Sequence, residues 1–524
     1  MVLLHPVRGL PASITPELVA GLCDRVVSST SDTSTTIAVF TGEPYADLPR
    51  STPDDVVRAV EHARKAQSAW AATDIGERLA VLRRFHRLVL RRQDLVLDLI
   101  QAETGKARRH AFEESLEPAL TAGYYLRKGT RTLRPRRREG MVPGFVRTVE
   151  LRQPKGVVGI ISPWNYPFAL GISDTLPALL AGNAVVFKPD TQTALSPLYG
   201  VELLYEAGLP EGVLQPVLGE GPVVGTAVVE NVDYVGFTGS TRTGRDVARR
   251  AGARLVGCSL ELGGKNPMIV LEDADLDRAA ELAVPAAFAN SGQVCMCTER
   301  LYVHAAVYER FLSRFLERVA ALRQANRYDF AADVGSLTSA RQLEAVSRHV
   351  ADAKAKGATV LAGGRARPDL GPFCYEPTVL ADVTEDMLCA ADETFGPVVS
   401  VYPVSGEEEA ITLANTGDYG LNASVFTGDT ARGRRVAARL RVGMVSVNDA
   451  FIAGYGSMDS PMGGMGQSGL GRRHGAEGLL KYTEAQTVAV QRLALFPPPS
   501  WVPYRPFGKL MKGLIGVLRR ARVR

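Results

Sequence analysis

The stretch "GVVGIISPW", residues 156–164, decides the fold. A short apolar run with β-forming residues stops abruptly at Ser-Pro. The same texture recurs in "GNAVVFKP" (182–189), "GVLQPVLG" (212–219) and "VDYVGFTGS" (232–240), with helical stretches such as "SPLYGVELLYEAG" (196–208) between them. Strands without polar alternation are buried on both faces, and strands that alternate with helices build a parallel sheet with helices packed on it. The pattern resumes after Asn266 in "NPMIVL", "ERLYVH", "ATVLAGG", "GPVVSVYPV", "NASVFTG" and "GMVSVND". Two α/β domains in sequence are therefore expected.

The chain upstream is helical. "TPDDVVRAVEHARKAQSAW" opens with Thr52 as N-cap, Pro53 at the first helical position and Asp54 and Asp55 at the positive helix end. A second, longer helical pattern runs from about Ile75 to Ala102. "RTLRPRRREGMVPGFVRTVELRQPKG" then interrupts with strand-like runs and turn residues.

At 524 residues, 46% hydrophobic and 22% charged, the chain has the composition of a large soluble globular protein. Six cysteines, at 23, 258, 295, 297, 374 and 389, form no regular framework. A reducing compartment, where a lone reactive thiol can survive, is expected. No signal peptide and no run near the roughly 18 apolar residues of a spanning helix are read, so the expected location is the cytoplasm. The net charge of +5 falls to −2 once the seven basic residues of 496–524 are set aside. The body is near neutral, which argues against a nucleic-acid binder.

Three local signals carry chemistry. "GEGPVVG", with Gly219, Gly221 and Gly225, lies between a strand and a helix and would let a cofactor approach the backbone, although a strand-to-helix turn needs glycines in any case. "FTGS" places Ser240 before a helix, as an anion site or a simple cap. "LELGGKNP" sets Glu261 in apolar surroundings, where burial raises a carboxyl pKa toward that of a general base; an exposed or salt-bridged glutamate is the plainer alternative.

Taken together, "SPWNYP" (162–167), "GNAVVFKP", "FTGS", "ELGGKNP", "NSGQVC" (290–295), "ETFGPV" (393–398) and "PMGGMGQSGLGR" (461–472), in this order, resemble the aldehyde dehydrogenase superfamily from about residue 35 to 490. The resemblance implies an aldehyde dehydrogenase-like α/β fold. A Rossmann-like cofactor domain would span 1–130 and 151–262, and an α/β catalytic domain 263–483. A small β oligomerisation element would combine 131–150 with 484–495, leaving a basic amphipathic tail at 496–524. Its extended segments would cover open sheet edges in a homo-oligomer, a dimer or tetramer.

The resemblance also implies roles. Cys295 matches the nucleophile, whose thiolate makes the tetrahedral centre from which hydride can leave. Asn165 and the Cys295 N–H match the oxyanion donors. Glu261, 34 positions before Cys295, matches the base that activates water. Lys188 matches the lysine on the adenosine ribose, Trp164 and Ser240 flank the cofactor and its pyrophosphate, and Glu393 and Phe395 lie at the nicotinamide end. Gly221, Gly225 and Leu262 complete the implied cofactor contacts, and no metal is implied. A base suited to water argues against a CoA-acylating enzyme, and the three catalytic matches argue against a non-catalytic membrane scaffold.

Two departures bear on specificity. Thr191 stands where NAD-preferring members often carry glutamate, so NADP is expected alongside or ahead of NAD, with adjacent Asp190 weighing the other way. "GQVCMC" and the surrounding sequence resemble an actinobacterial branch named for succinate-semialdehyde dehydrogenase. Ser173 and Ala289, however, occupy the positions of the two arginines that grip a substrate carboxylate. An apolar aliphatic, lipid-derived or aromatic aldehyde is the rival substrate class. Cys297 is read as a packing residue, with a reversible redox lock on Cys295 as the alternative.

The tail mixes Phe507, Leu510, Met511, Leu514, Ile515, Val517 and Leu518 with basic residues. On a helix it reads as peripheral contact of 505–524 with anionic lipid; docking on a neighbouring subunit and disorder are the alternatives.

Overall fold

The computed structural model describes residues 3–140, 145–493 and 497–520. Parts of the expected oligomerisation element and tail (141–144, 494–496 and 521–524) lie outside the described residues.

Thr52 caps the helix Pro53–Ala72 reciprocally: its side chain accepts from the Asp55 N–H, and the Asp55 carboxylate accepts from the Thr52 N–H at 2.8 Å. The pattern expected from Ile75 to Ala102 is two helices, Ile75–Arg91 and Gln93–Thr104. Arg92 leaves helical geometry (φ −104°, ψ 18°), and the second helix buries Val96, Leu97, Leu99 and Ile100 in its own direction. Periodicity continues across such a joint, so the sequence does not reveal it.

The first large sheet has the strand order Gly469–Leu470, Gly257–Glu261, Tyr234–Thr238, Val157–Ile161, Ala184–Lys188, Leu214–Pro216. Five of these run parallel, beginning in the middle with Val157–Ile161. The next two strands add on one side and the following two on the other. The order therefore reverses between Val157–Ile161 and Tyr234–Thr238, and ligands bind at the carboxyl ends of strands beside such a switch point. The sixth strand, Gly469–Leu470, is antiparallel and sets Gly469 opposite Glu261.

The second sheet has seven strands, in the order Thr359–Ala362, Thr378–Ala381, Val398–Val404, Thr298–His304, Asn266–Val270, Asn422–Phe426, Met444–Val447. Only the edge strand Thr359–Ala362 is antiparallel. A separate antiparallel sheet joins Arg136–Arg138, Val146–Pro154 and Thr483–Gln491. The α/β fold class read from the sequence is the observed one.

Candidate active site

Several candidate residues sit where a strand of the first sheet ends. Ser162, Trp164 and Asn165 follow Val157–Ile161, Lys188 ends Ala184–Lys188, Ser240 follows Tyr234–Thr238, and Glu261 ends Gly257–Glu261. The stretch 289–297 approaches from the other side, between the helix Leu276–Phe288 and the strand Thr298–His304. Where the two sheets meet, Asn165, Glu261 and Cys295 line one narrow cavity of about 90 Å³.

The turn that carries Cys295 is left-handed at three successive residues: Asn290 (φ 49°), Ser291 (φ 54°) and Gly292 (φ 73°). Such backbone costs about 1–3 kcal/mol at a non-glycine residue and persists only when its surroundings hold it. Here the Asn290 N–H donates to His110 Nδ1 at 3.2 Å, and Gln293 Nε2 donates to the Asn290 carbonyl at 3.0 Å. A Cβ on Gly292 would lie 1.9 Å from the Gly396 carbonyl oxygen, so only glycine fits. Asn266 Nδ2 donates to the carbonyls of Cys295 and Cys297, each at 2.8 Å.

Asn165 Nδ2 donates to the Gln293 carbonyl at 2.9 Å, which ties it to the Cys295 turn. An amide NH₂ carries two hydrogens, and among the described residues the second has no acceptor. The Asn165 carbonyl accepts from Lys106 Nζ at 2.7 Å and from Asn290 Nδ2 at 3.1 Å. Lys106 is fully buried, pairs with buried Glu114 and lies 3.8 Å from the centre of the Tyr166 ring. Glu114 accepts the N–H groups of Phe168 and Ala169 at the start of the helix Pro167–Leu180. A partner stripped from a buried pair leaves an uncompensated charge costing about 3–5 kcal/mol. Lys106→Met should therefore destabilise the protein by about that much, read as a fall in the denaturation midpoint, whereas an exposed lysine such as Lys65 should change it little.

Glu261 is buried, and both its carboxylate oxygens lack a hydrogen-bond partner among the described residues. Burial pushes its pKa up to about 8, with Arg473 and Lys481 pulling it back down and Asp174 adding to the rise. These three form a buried ionic cluster, with Arg473 at 3.1 Å and Lys481 at 3.3 Å from Asp174. Burial likewise pushes the Cys295 thiol up to about 12, reinforced by the carboxylates of Glu393 and Glu261 and opposed by Arg473.

The cofactor candidates surround the strand ends. Lys188 is buried, and its ammonium donates to the Pro189 carbonyl at 3.1 Å. Burial lowers its pKa against the opposing pull of Asp190 and Glu220. Asp190 accepts the Gln192 N–H at 3.0 Å as the cap of its own turn, and Thr191 donates to the Gly219 carbonyl at 3.3 Å. Ser240 caps the helix Thr241–Ala253, so the plainer role read from the sequence is present. A Cβ on Gly221 or Gly225 would meet nothing within 4 Å. This open ground follows the edge strand Leu214–Pro216; together with the buried Lys188 and the helix that Ser240 starts at the switch point, it suits a dinucleotide. Leu262 packs under Gly244, where a Cβ would lie 2.4 Å from its side chain. Trp164 and Phe395 meet edge to face at 5.5 Å, and Glu393 accepts the Gly264 N–H at 2.9 Å. Burial pushes the Glu393 carboxyl up to about 8, with Glu299 adding to the rise.

Several supporting residues had no readable signal. Lys106 and Glu114 are charged residues of a helical region, and no spacing marks them as inward-facing. Glu299 accepts the N–H groups of Thr394 and Phe395 at 3.0 Å and pairs with Lys265, which holds the Glu393–Phe395 loop. Arg473 is one of two adjacent arginines, and only its neighbours show that it faces inward. Ser173 and Ala289 are buried, but neither is among the lining residues of the cavity. The Cys297 thiol donates to the Ala289 carbonyl at 3.7 Å, and both Cys295 and Cys297 are free. Among the described residues, no group of three or more His, Cys, Asp or Glu side chains is placed to hold a metal.

A doubly wound parallel sheet and a second α/β sheet, with a cavity that holds a thiol and a carboxyl without a hydrogen-bond partner among the described residues, place the chain in the class of α/β enzymes. Residues 26–488 match the profile of the aldehyde dehydrogenase family, and the chain belongs to that family. It is 53% identical over 482 residues to a Mycolicibacterium smegmatis protein provisionally named succinate-semialdehyde dehydrogenase [NADP(+)], covering 92% of this chain and 93% of that one. A Methylomonas protein named 4,4'-diapolycopene aldehyde oxidase is 39% identical, with 90% and 89% covered. Among solved structures, betaine aldehyde dehydrogenase from Staphylococcus aureus in complex with NAD+ matches with a TM-score of 0.85 at 30% identity, covering 93% of this chain and 98% of that one.

Proposed function

We propose that this enzyme oxidises an aldehyde to a carboxylic acid with NAD(P)+, using Cys295 as nucleophile, Asn165 as oxyanion donor and Glu261 as base. The observation that carries the reading is the cavity shared by the half-buried thiol, the Asn165 amide and the unpartnered Glu261 carboxyl. Once the Cys295 thiol has released its proton to solvent, the thiolate adds to the carbonyl carbon, and the C=O π pair moves to oxygen, toward the free Asn165 N–H and the Cys295 N–H. When bound, the nicotinamide supplies the acceptor for the hydride that the aldehyde carbon loses. Glu261 then takes a proton from water as it attacks the Cys295 thioester. The C–S bond breaks, the acid leaves and the thiolate is restored. Cys297 serves as packing in this reading.

NADP is the proposed preference. The M. smegmatis relative carries it in its name, Thr191 sets no carboxylate at the ribose position, and the Asp190 carboxylate is engaged in capping its own turn. The same relative's name supports succinate semialdehyde as the substrate class. A specific observation favours the second reading, an apolar aldehyde: Tyr166, Leu170, Val294, Met296, Phe451 and Met462 line the cavity, no arginine stands at 173 or 289, and the one arginine in the lining, Arg473, is already paired with Asp174 beside the lining carboxylates Glu113, Glu114 and Glu117. The Methylomonas relative's name points the same way. The test is kcat/KM for succinate semialdehyde, straight-chain aldehydes and benzaldehyde, each with NAD and NADP. A succinate semialdehyde value about tenfold above that of hexanal supports the first reading, because a charge-matched contact contributes about 1.5–3 kcal/mol. The reverse order supports the second. No cofactor reduction with any aldehyde overturns both.

The reading includes a cytoplasmic homo-oligomer. In the antiparallel sheet of the proposed oligomerisation element, the outer strand Thr483–Gln491 leaves Val488 and Val490 exposed, surface that a second copy would cover.

A further inference from the structure

We propose that the C-terminal helix docks the enzyme flat on an anionic lipid surface. Tyr504–Arg520 is a 17-residue helix beyond the end of the family match at residue 488. With 3.6 residues per turn, Leu510, Leu514, Ile515 and Val517 fall along one side, and Arg505, Lys509, Lys512, Arg519 and Arg520 along the other. The apolar side is uncovered along its flanks, with Leu510 66%, Ile515 67% and Val517 60% exposed, while Met511 and Leu514 between them are half-buried. Trp501, just before the helix, is 82% exposed, and Tyr504 is 67% exposed. Phe507 is buried and meets the Tyr504 ring at 6.2 Å.

Charge selects the occupant. The helix contains five cations and no acidic residue. Among the described residues, none of the five forms an ion pair, although exposed arginines elsewhere on the protein commonly do. The five charges are left to solvent, free to meet an anionic partner from outside the chain. A nucleic acid would use the cations but leave the apolar side in water, and a second copy whose body carries a net negative charge near zero offers no matching acidic field. A lipid surface satisfies both sides at once: apolar side chains enter the acyl boundary, and the cations stay at the headgroups. Among the described residues, no helix is long and apolar enough to cross a membrane, so the helix lies along the surface. An apolar aldehyde concentrates in the same place.

The test is co-sedimentation of the full chain with vesicles of phosphatidylcholine alone or mixed with phosphatidylglycerol, at low and high salt, with light scattering for oligomeric state. The expected result is binding to the mixed vesicles, weakened by salt, and little binding to phosphatidylcholine. Lys509→Glu with Lys512→Glu should lower affinity about tenfold or more, and the charge-neutral Leu510→Gln with Ile515→Gln should abolish sedimentation. Both variants should keep wild-type kcat/KM on a soluble aldehyde and an unchanged oligomeric state. No sedimentation of the full chain with mixed vesicles overturns the proposal. So does equal sedimentation of the leucine–isoleucine variant, which would mark a bare charge effect. A smaller assembly in that variant also overturns it, because the helix would then be docked on a neighbouring subunit.

Discussion

Glu261→Gln enzyme, mixed with aldehyde and cofactor, is expected to give one burst of reduced cofactor close to the number of active sites and then nearly stop. Glutamine keeps the size of the side chain and cannot take a proton. Addition of Cys295 and loss of hydride proceed, but the thioester waits for an unactivated water. Removing a general base costs about 10²–10⁴-fold, and the steady-state rate should fall by that amount. Stopped-flow absorbance of the reduced cofactor separates the phases. An undiminished steady state would remove Glu261 from the mechanism, and a lost burst would place it in the first half-reaction instead. The pH profile gives the same residue a second signature. Burial holds its carboxyl at about 8, so at pH 7 roughly a tenth is ionised. Only the ionised form accepts a proton, so turnover limited by thioester hydrolysis should rise with pH and level off above about 8. The residual rate of Glu261→Gln should lack that inflection.

Cys295→Ala should lose both burst and turnover, by about 10⁴-fold or more, because an aldehyde carbon that no nucleophile has attacked has no hydride ready to leave. Alanine fits the half-buried site without new volume, so the variant should keep its fold and its melting temperature. Retention of cofactor binding, measured by fluorescence quenching, would show that chemistry alone was lost. Cys297→Ala is the control: its thiol donates to the Ala289 carbonyl within the packed interior, and it should retain most of the activity. A Cys295→Ala enzyme that still reduces cofactor would transfer the nucleophile's role elsewhere.

The parallel α/β architecture was legible because its signal is local. Apolar runs such as Val157–Ile161 and Ala184–Lys188, without polar alternation, are possible only where both faces are covered. Thr52 likewise announced its helix through its own neighbours. The joint at Arg92 was not legible, because the apolar period passes through it unbroken. Ser240 shows a different limit: its local sequence fitted a simple cap more readily than an anion site, and the observed bond from the Thr243 N–H is that of a cap.

From the residues in order, the sequence alone determined the succession of strands and helices, the resemblance to an aldehyde dehydrogenase and the residues that would do its chemistry. It also marked the two missing arginines, because each is a fact about one position. Only the tertiary structure decided what surrounds those residues. Lys106 comes from 59 positions away to hold the Asn165 carbonyl, and Arg473 and Lys481 reach Asp174 from the far end of the chain. Burial, and with it the displaced acidity of Glu261 and Cys295, belongs to no position by itself. It arises when distant segments exclude water together, and the energy of a charge depends on what has replaced that water.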